Sequence, residues 1–433
     1  MSTASFNYCG SPNHALHRRG FLRGVLAGTT AISFGSLNVA AEVPAANELR
    51  SAGKRALFIW LAGGASQLEM WDPKASLETG GPFRSIPTSL PGYHVSELMP
   101  NLAKLMQKIA VVRSLNTEIT AHAPAADLMS TGRKKEPALD YPEIGVVLSK
   151  ELAIRESQLP DYVSMFTFTE GRRRPATGFL GGRHAPLLLE DSLRPANIDL
   201  PAGLSDAQHR EREHLRELLS SRFARRRAGE ERVKGYNSAY AKVRGLMRSD
   251  HLFDITAEPQ QVRDRYGNSP FGEQCLLARR LLDAGVPMVK VAHGFWDSHH
   301  DNFESHRELV PDFDHVMSVL LSDLAERGLL DSTLVIVLSE FGRTPKINKD
   351  VGRDHYAAAW SCALAGAGVK GGSVFGRTDK DGKTVVDGEV DAGDLTATIL
   401  KAAGINLKKH YSVGQRPVPL APDFPKPIDA LLT

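Results

Sequence analysis

Cysteine is scarce in this chain, with three among 433 residues. Two of them, Cys275 and Cys362, lie in apolar stretches and would remain after removal of an N-terminal leader. So few excludes a disulfide-dense scaffold, and both read as core residues rather than a pair. Charge of one sign is also missing. The balance of 53 Lys and Arg against 50 Asp and Glu leaves +3, which argues against nucleic acid as the main partner. The basic clusters "RRRP" near Arg172 and "RFARRR" near Arg225 read as solvated loop and helix faces. Beyond the N-terminus there is no run of ~18 apolar residues, so no transmembrane segment is expected in the mature chain. Internal repeats and low-complexity tracts are absent as well.

What the N-terminus does have is a targeting pattern. Arg18 and Arg19 are followed by Phe21, Leu22 and Arg23, then by a modestly apolar run that ends in small residues near Ala41. That order is expected of a twin-arginine (Tat) signal peptide over residues 1–41, with the Tat export machinery as a partner and the periplasm as the destination. Tat export carries folded proteins, often with a cofactor already loaded, which favours a metal without naming it.

The remainder, 54–433, alternates strand and helix patterns. "RALFIWLAGG" reads as a strand running into a glycine turn, and "MPNLAKLMQKIAVVRSL" as a helix followed by a strand. "HAPAADLMSTGR" opens a helix with Pro124 suited to its first turn. "IGVVLSKEL" and "GEQCLLARRLLDAG" are further helices, and "VPMVKVAHG" is a buried strand. "VPDFDHVMSVLLSDLAERG" is a long amphipathic helix leading to the strand "STLVIVLSE". "CALAGAGVKGG" gives a last strand and turn, and "LTATILKAAGI" a last helix. The alternation predicts an α/β fold with a mostly parallel central sheet and helices on both faces. Between about 199 and 262 the sequence turns charged with a helical period, which predicts a helical insertion outside the sheet.

Polar groups collect just after the predicted strands. Asp297, His299, His300 and Asp301 follow "VPMVKVAHG", and Glu340 and Arg343 follow "STLVIVLSE". Asp354 and His355 come soon after in "GRDHY", and His122 opens a helix. Carboxylate and imidazole are ligands that a zinc-like or manganese-like ion prefers. A single Asp-x-His or Glu more often caps a helix or binds backbone. Several such groups at the element ends of one sheet point to a shared polar site. Arg343 is open to two readings, a guanidinium aimed at an anionic ligand or a salt bridge to Glu340.

The order of these pieces resembles a known family. "GGASQLEMWDPK", "HAPAADLMSTGR", "RDRYGNSPFGEQCLLARRLLDAGV", "WDSHHDNF", "EFGRTPKIN" and "GRDHY" resemble the hallmarks of the domain of unknown function 1501 (DUF1501) family over nearly the whole mature chain. That family is placed near the alkaline phosphatase and sulfatase superfamily. The resemblance implies such a fold, and a site for one or two divalent metals. It sets His122 where sulfatases carry their nucleophilic cysteine, and Glu340 in place of the aspartate of Asp-His-Gly. Phe341 then replaces that motif's histidine. Asp297 and His299 resemble the Asp…His ligand pair at tighter spacing, and His355 resembles the last ligand histidine. The first strand ends in Ala62, Gly63 and Gly64, without the superfamily's metal-binding aspartate. Asp72, farther on, either substitutes for it or caps a turn.

Two readings of function follow. In the first, the protein is an exported metal-dependent hydrolase of a small anionic sulfate or phosphate ester. One divalent ion would be held by Asp297, His299, Glu340, Asp354 and His355, with His122 as ligand or general base and Arg343 facing the anion. No Ser, Thr or Cys stands at the nucleophile position, so water is the expected attacking group, with Ser66 and Thr120 the nearby hydroxyls to test. In the second, the fold survives as a binding or assembly protein without turnover.

Overall fold

The computed structural model describes residues 53–433, except 155–156, 167–173, 191, 227–239 and 241. The expected signal peptide lies outside the described residues. The eight strands of the central sheet are β1 (Arg55–Leu61), β2 (Ile109–Leu115), β3 (Tyr162–Met165), β4 (Leu187–Leu189), β5 (Met288–His293), β6 (Thr333–Leu338), β7 (Trp360–Gly366) and β8 (Ser373–Phe375). Across the sheet they run β8-β2-β7-β6-β1-β5-β3-β4. β7 is antiparallel to both neighbours, and every other pairing is parallel.

A strand turns successive side chains to opposite faces, so a sheet covered on both sides needs strands that are apolar throughout. From Ala56 onward β1 meets that requirement. Leu57, Ile59 and Leu61 enter one core with residues of α1 (Pro270–Asp283) and α2 (Asn302–Glu326), among them Leu277, Val316 and Leu320. Ala56, Phe58 and Trp60 enter a second core on the opposite face. There they join Leu128 of α3 (His122–Thr131), Val147 of α4 (Ile144–Glu151) and Ile399 of α5 (Ala392–Ala402). The expected α/β architecture with helices on both faces is therefore present.

Within 199–262 the described residues include the helix Asp206–Arg226 and two short 3-10 turns, and no strand of the sheet. Cys275 and Cys362 are both buried and free. No helix among the described residues is long and apolar enough to cross a membrane.

The central strands β1, β5 and β6 lie side by side and in parallel, so their C-terminal ends share one edge. The loops leaving that edge carry Gly63 and Gly64, Phe295 to Asp301, and Ser339 to His355. A two-residue antiparallel pairing of Gly342–Arg343 with His355–Tyr356 brings the far end of the third loop back to its start.

Candidate metal centre

Asp297 is the point on which the loops converge. Its Oδ1 lies 3.1 Å from His355 Nε2 and 3.2 Å from His299 Nε2, and its Oδ2 lies 3.2 Å from His122 Nε2. The Nε2 atoms of His299 and His355 are 2.9 Å apart. Each imidazole is fastened through its other nitrogen. His122 Nδ1 is 2.9 Å from Glu340 Oε1, and His299 Nδ1 is 3.0 Å from Asp354 Oδ1. His355 Nδ1 is 2.7 Å from the Thr120 carbonyl oxygen.

Those partners decide where the protons sit. A carbonyl or carboxylate oxygen only accepts, so the neutral rings carry their hydrogen on Nδ1 and present bare Nε2 lone pairs to one another and to a carboxylate. Such acceptors facing inward repel unless a metal ion or ring protons lie among them. Metal-bound histidines are commonly held in this way, with the second ring nitrogen donating to a carboxylate or carbonyl. Ligand atoms around a zinc-sized ion stand about 3.3 Å apart, and the contacts that His299 and His355 make with each other and with Asp297 Oδ1 are of that order. The ligand atoms of His122, Asp297 and His355 all fall within 4.8 Å of one another, a grouping able to hold a metal ion. The residues present fit the ion that the sequence implies.

Without an ion, the charges around Asp297 are balanced by protons instead. Burial acts to raise the Asp297 pKa, but in the ion-free site a proton on His355 Nε2, the Arg343 guanidinium and the nearby positive charges hold it well below the usual carboxylate range. The hydrogen bond to Glu340 is the main influence on His122 and raises its pKa, against partial burial.

The structure gives several expected site residues different places from those read in the sequence. Glu340 does not face the convergence point directly. Its Oε1 accepts the Gly63 N–H at 2.9 Å besides meeting His122, and its Oε2 accepts from the Ser339 hydroxyl at 3.1 Å. Asp354 stands behind His299 and also accepts from Asn348 Nδ2 at 3.2 Å. Both carboxylates sit where they orient an imidazole.

Arg343 is fully buried, and its salt bridge goes to Asp297 at 2.6 Å rather than to Glu340. Its other hydrogen bonds go to the carbonyls of Gly63, Gly64, Trp296 and Arg353. The guanidinium is therefore spent on holding the loops and Asp297, and it does not reach out to an anion.

Asp72 is tied to Lys74, Arg113 and Thr378, which accounts for its charge without an ion. Ser66 is buried, and Thr120 contributes its carbonyl to His355. His122 was expected as ligand or base, and here it faces Asp297 alongside the other two rings.

No side chain fits at the two glycines after β1. Gly63 has φ +114, and a Cβ there would meet the Asp297 backbone nitrogen at 2.5 Å. A Cβ on Gly64, at φ +92, would strike the Phe341 ring at 2.6 Å. Phe341 itself is buried and stacks on His355 at 4.2 Å between ring centroids. A hydrocarbon ring thus packs against His355 and leaves no room for a side chain at Gly64.

Comparison with known proteins identifies a family and several similar structures. A family model described as "Protein of unknown function (DUF1501)" matches residues 53–432. No curated protein matches the chain by sequence. Among solved structures, the PsFucS1 sulfatase from Pseudoalteromonas sp. is similar at 14% identity and a TM-score of 0.40, covering 84% of this chain and 72% of that one. The phosphonate monoester hydrolase SpPMH from Silicibacter pomeroyi is similar at 13% identity and a TM-score of 0.40, covering 82% and 74%. A protein in the alkaline phosphatase superfamily from Vibrio parahaemolyticus is similar at 12% identity and a TM-score of 0.35, covering 82% and 67%.

Proposed function

The chain belongs to the DUF1501 family, and from its site we propose an exported hydrolase that uses one divalent metal ion to cleave a sulfate or phosphate ester. The observation that carries the proposal is the inward convergence of three Nε2 lone pairs on Asp297, each ring fixed from behind by an acceptor. His122, Asp297, His299 and His355 would hold the ion. A bound divalent ion would supply an acidic water near neutral pH and polarise the ester oxygen.

The chain's own residues do the rest. Glu340, Asp354 and the Thr120 carbonyl orient the three rings, and Arg343 keeps Asp297 ionised and in place. Asp297 and His122 are about two-fifths exposed and His299 about one-third, so the convergence point opens to solvent and to a substrate. Ser66 is buried and the Thr120 hydroxyl is exposed, so water is the attacking group of this reading and Thr120→Val is its control.

The test is metal analysis of the folded protein, followed by assays with aryl sulfates and phosphates. Binding of about one zinc-like or manganese-like ion per chain is expected, with loss of both ion and turnover in His355→Ala and His299→Ala. Folded protein that takes up no ion from zinc or manganese would overturn the proposal. Stoichiometric metal without turnover on any such ester would favour the binding-protein reading instead.

A further inference from the structure

We propose that Phe295 and Val351 form an apolar rim on this site, and that the alcohol portion of its substrate is an aromatic ring or a comparably flat apolar group. The inference rests on the metal-hydrolase reading and names a part of the substrate which that reading leaves open.

Two costs fall together on Phe295 and Val351, as they also do on Phe424 beside a separate cleft; only the first two lie in the loops of the centre. Phe295 is 69% exposed and Val351 is 50% exposed, in a protein that buries most of its large apolar side chains. Both also hold left-handed backbone, with φ +70 at Phe295 and φ +56 at Val351. That region suits glycine and is unfavourable for bulky or β-branched residues. A glycine at either position would remove the strain and the exposed hydrocarbon together. Strained backbone of this kind persists where the surroundings fix it, and it clusters at ligand-binding sites.

The surroundings here do fix it. Beyond Phe295 the chain is clamped, because the Trp296 N–H donates to the Ala62 carbonyl at 3.2 Å and the Trp296 carbonyl accepts from Arg343 at 3.1 Å. Trp296 is buried, so the turn sends successive aromatic side chains to opposite environments, one into the core and one into solvent.

Val351 belongs to a loop hydrogen-bonded to the loop of Asp297 and His299. Its carbonyl accepts the Asn302 N–H at 3.1 Å, and the neighbouring Asp350 carbonyl accepts the Asp301 N–H at 3.1 Å. Phe295 precedes Asp297 by two positions and Val351 precedes Asp354 by three, so the two exposed groups belong to the strands of chain that build the centre. Two roomy clefts, of about 520 and 570 Å³, are lined by other residues and include none of the cluster.

The experiment compares metal-loaded wild type with Phe295→Gly, Val351→Gly and the double variant. Calorimetric titration with naphthalene-2-sulfonate and with methanesulfonate separates apolar contact from anion binding without requiring turnover. At least a tenfold loss of affinity for the naphthalene compound in the double variant is expected, with methanesulfonate unchanged. The denaturation midpoint of Phe295→Gly should equal or exceed that of wild type, because the left-handed strain is relieved. Kinetics should agree, with kcat/KM falling for a 4-nitrophenyl ester and not for an ethyl ester of the same acid.

Equal binding of the naphthalene compound by wild type and double variant, or equal losses for both sulfonates, would overturn the rim. Wild type that binds metal and naphthalene sulfonate yet turns over no ester would sink the hydrolase reading and leave the rim standing. Turnover of the aryl ester with variants indistinguishable from wild type would sink the rim alone.

Discussion

Asp354 and Asp297 are both carboxylates near histidines, yet their positions give them different work. Asp297 faces three ring nitrogens, while Asp354 meets only the rear nitrogen of His299. Removing a ligand should abolish binding, whereas removing an orienting partner typically weakens metal affinity by about 10–100-fold. Asp297→Asn is therefore expected to leave no measurable metal at micromolar protein, and Asp354→Asn to retain it with that lesser penalty. Asp354 is 59% exposed, so its substitution should hardly move the denaturation midpoint. Metal titration of the two variants against wild type checks the order. Equal losses would return Asp354 to the ligand role that its neighbour His355 suggested in the sequence. At this scale the sequence revealed which residues meet and concealed what each does. Asp-x-His and Asp-His spacing exposed Asp297, His299, Asp354 and His355, but the direction of a side chain depends on partners such as the Thr120 carbonyl, over two hundred residues from His355.

The loops that carry these residues are held by a buried pair the sequence did not single out. Arg353 and Glu69 are both fully buried, with Arg353 Nη2 2.7 Å from Glu69 Oε1. The remaining Arg353 donors reach the carbonyls of Thr79, Thr344 and Pro345, and its own carbonyl accepts from Arg343. Burial acts to raise the Glu69 pKa, but the Arg353 charge prevails and lowers it, so the pair is ionic. Breaking one side of a buried pair costs about 3–5 kcal/mol because the other charge is stranded. Arg353→Met should lower stability by about that amount in urea titrations, and Glu69→Gln combined with Arg353→Met should recover much of it. If the double variant were as unstable as the single, the penalty would lie in the lost backbone contacts rather than in the stranded carboxylate. Long apolar runs, such as β1, β5 and β6, were legible because every residue of those strands is buried. The outer strands β3, β4 and β8 were not, since they span four, three and three residues and too few side chains remain to show a pattern. Nor did the sequence indicate that β7 runs antiparallel, because a short apolar run looks the same in either direction.

Across the whole molecule the sheet is covered on both faces, and a titratable group enclosed by that packing links stability to pH. His293 ends β5 and is almost wholly buried, stacked on Phe271 at 4.3 Å and edge-on to Trp296 at 5.3 Å. Asp312 lies 3.6 Å from its Nε2 and would favour a charged ring, yet burial dominates and pushes the pKa down to about 3. The unfolded chain takes up that proton at the ordinary histidine value of about 6.5. Above that pH neither state is protonated at His293 and the residue costs nothing. As pH falls from about 6.5 toward 3 the unfolded state binds a proton that the native state refuses, so stability declines by up to about 1.4 kcal/mol per pH unit. Between pH 7.5 and pH 5 this amounts to roughly 2 kcal/mol. His293→Phe keeps an aromatic ring against Phe271 and Trp296 and cannot titrate, so its acid loss should be smaller than that of wild type by about that amount. Urea midpoints at the two pH values, taken on metal-free protein so that metal release does not contribute, measure the difference directly. Identical pH slopes for variant and wild type would mean that native His293 is protonated alongside Asp312, and that the ion pair outweighs burial at the heart of the fold.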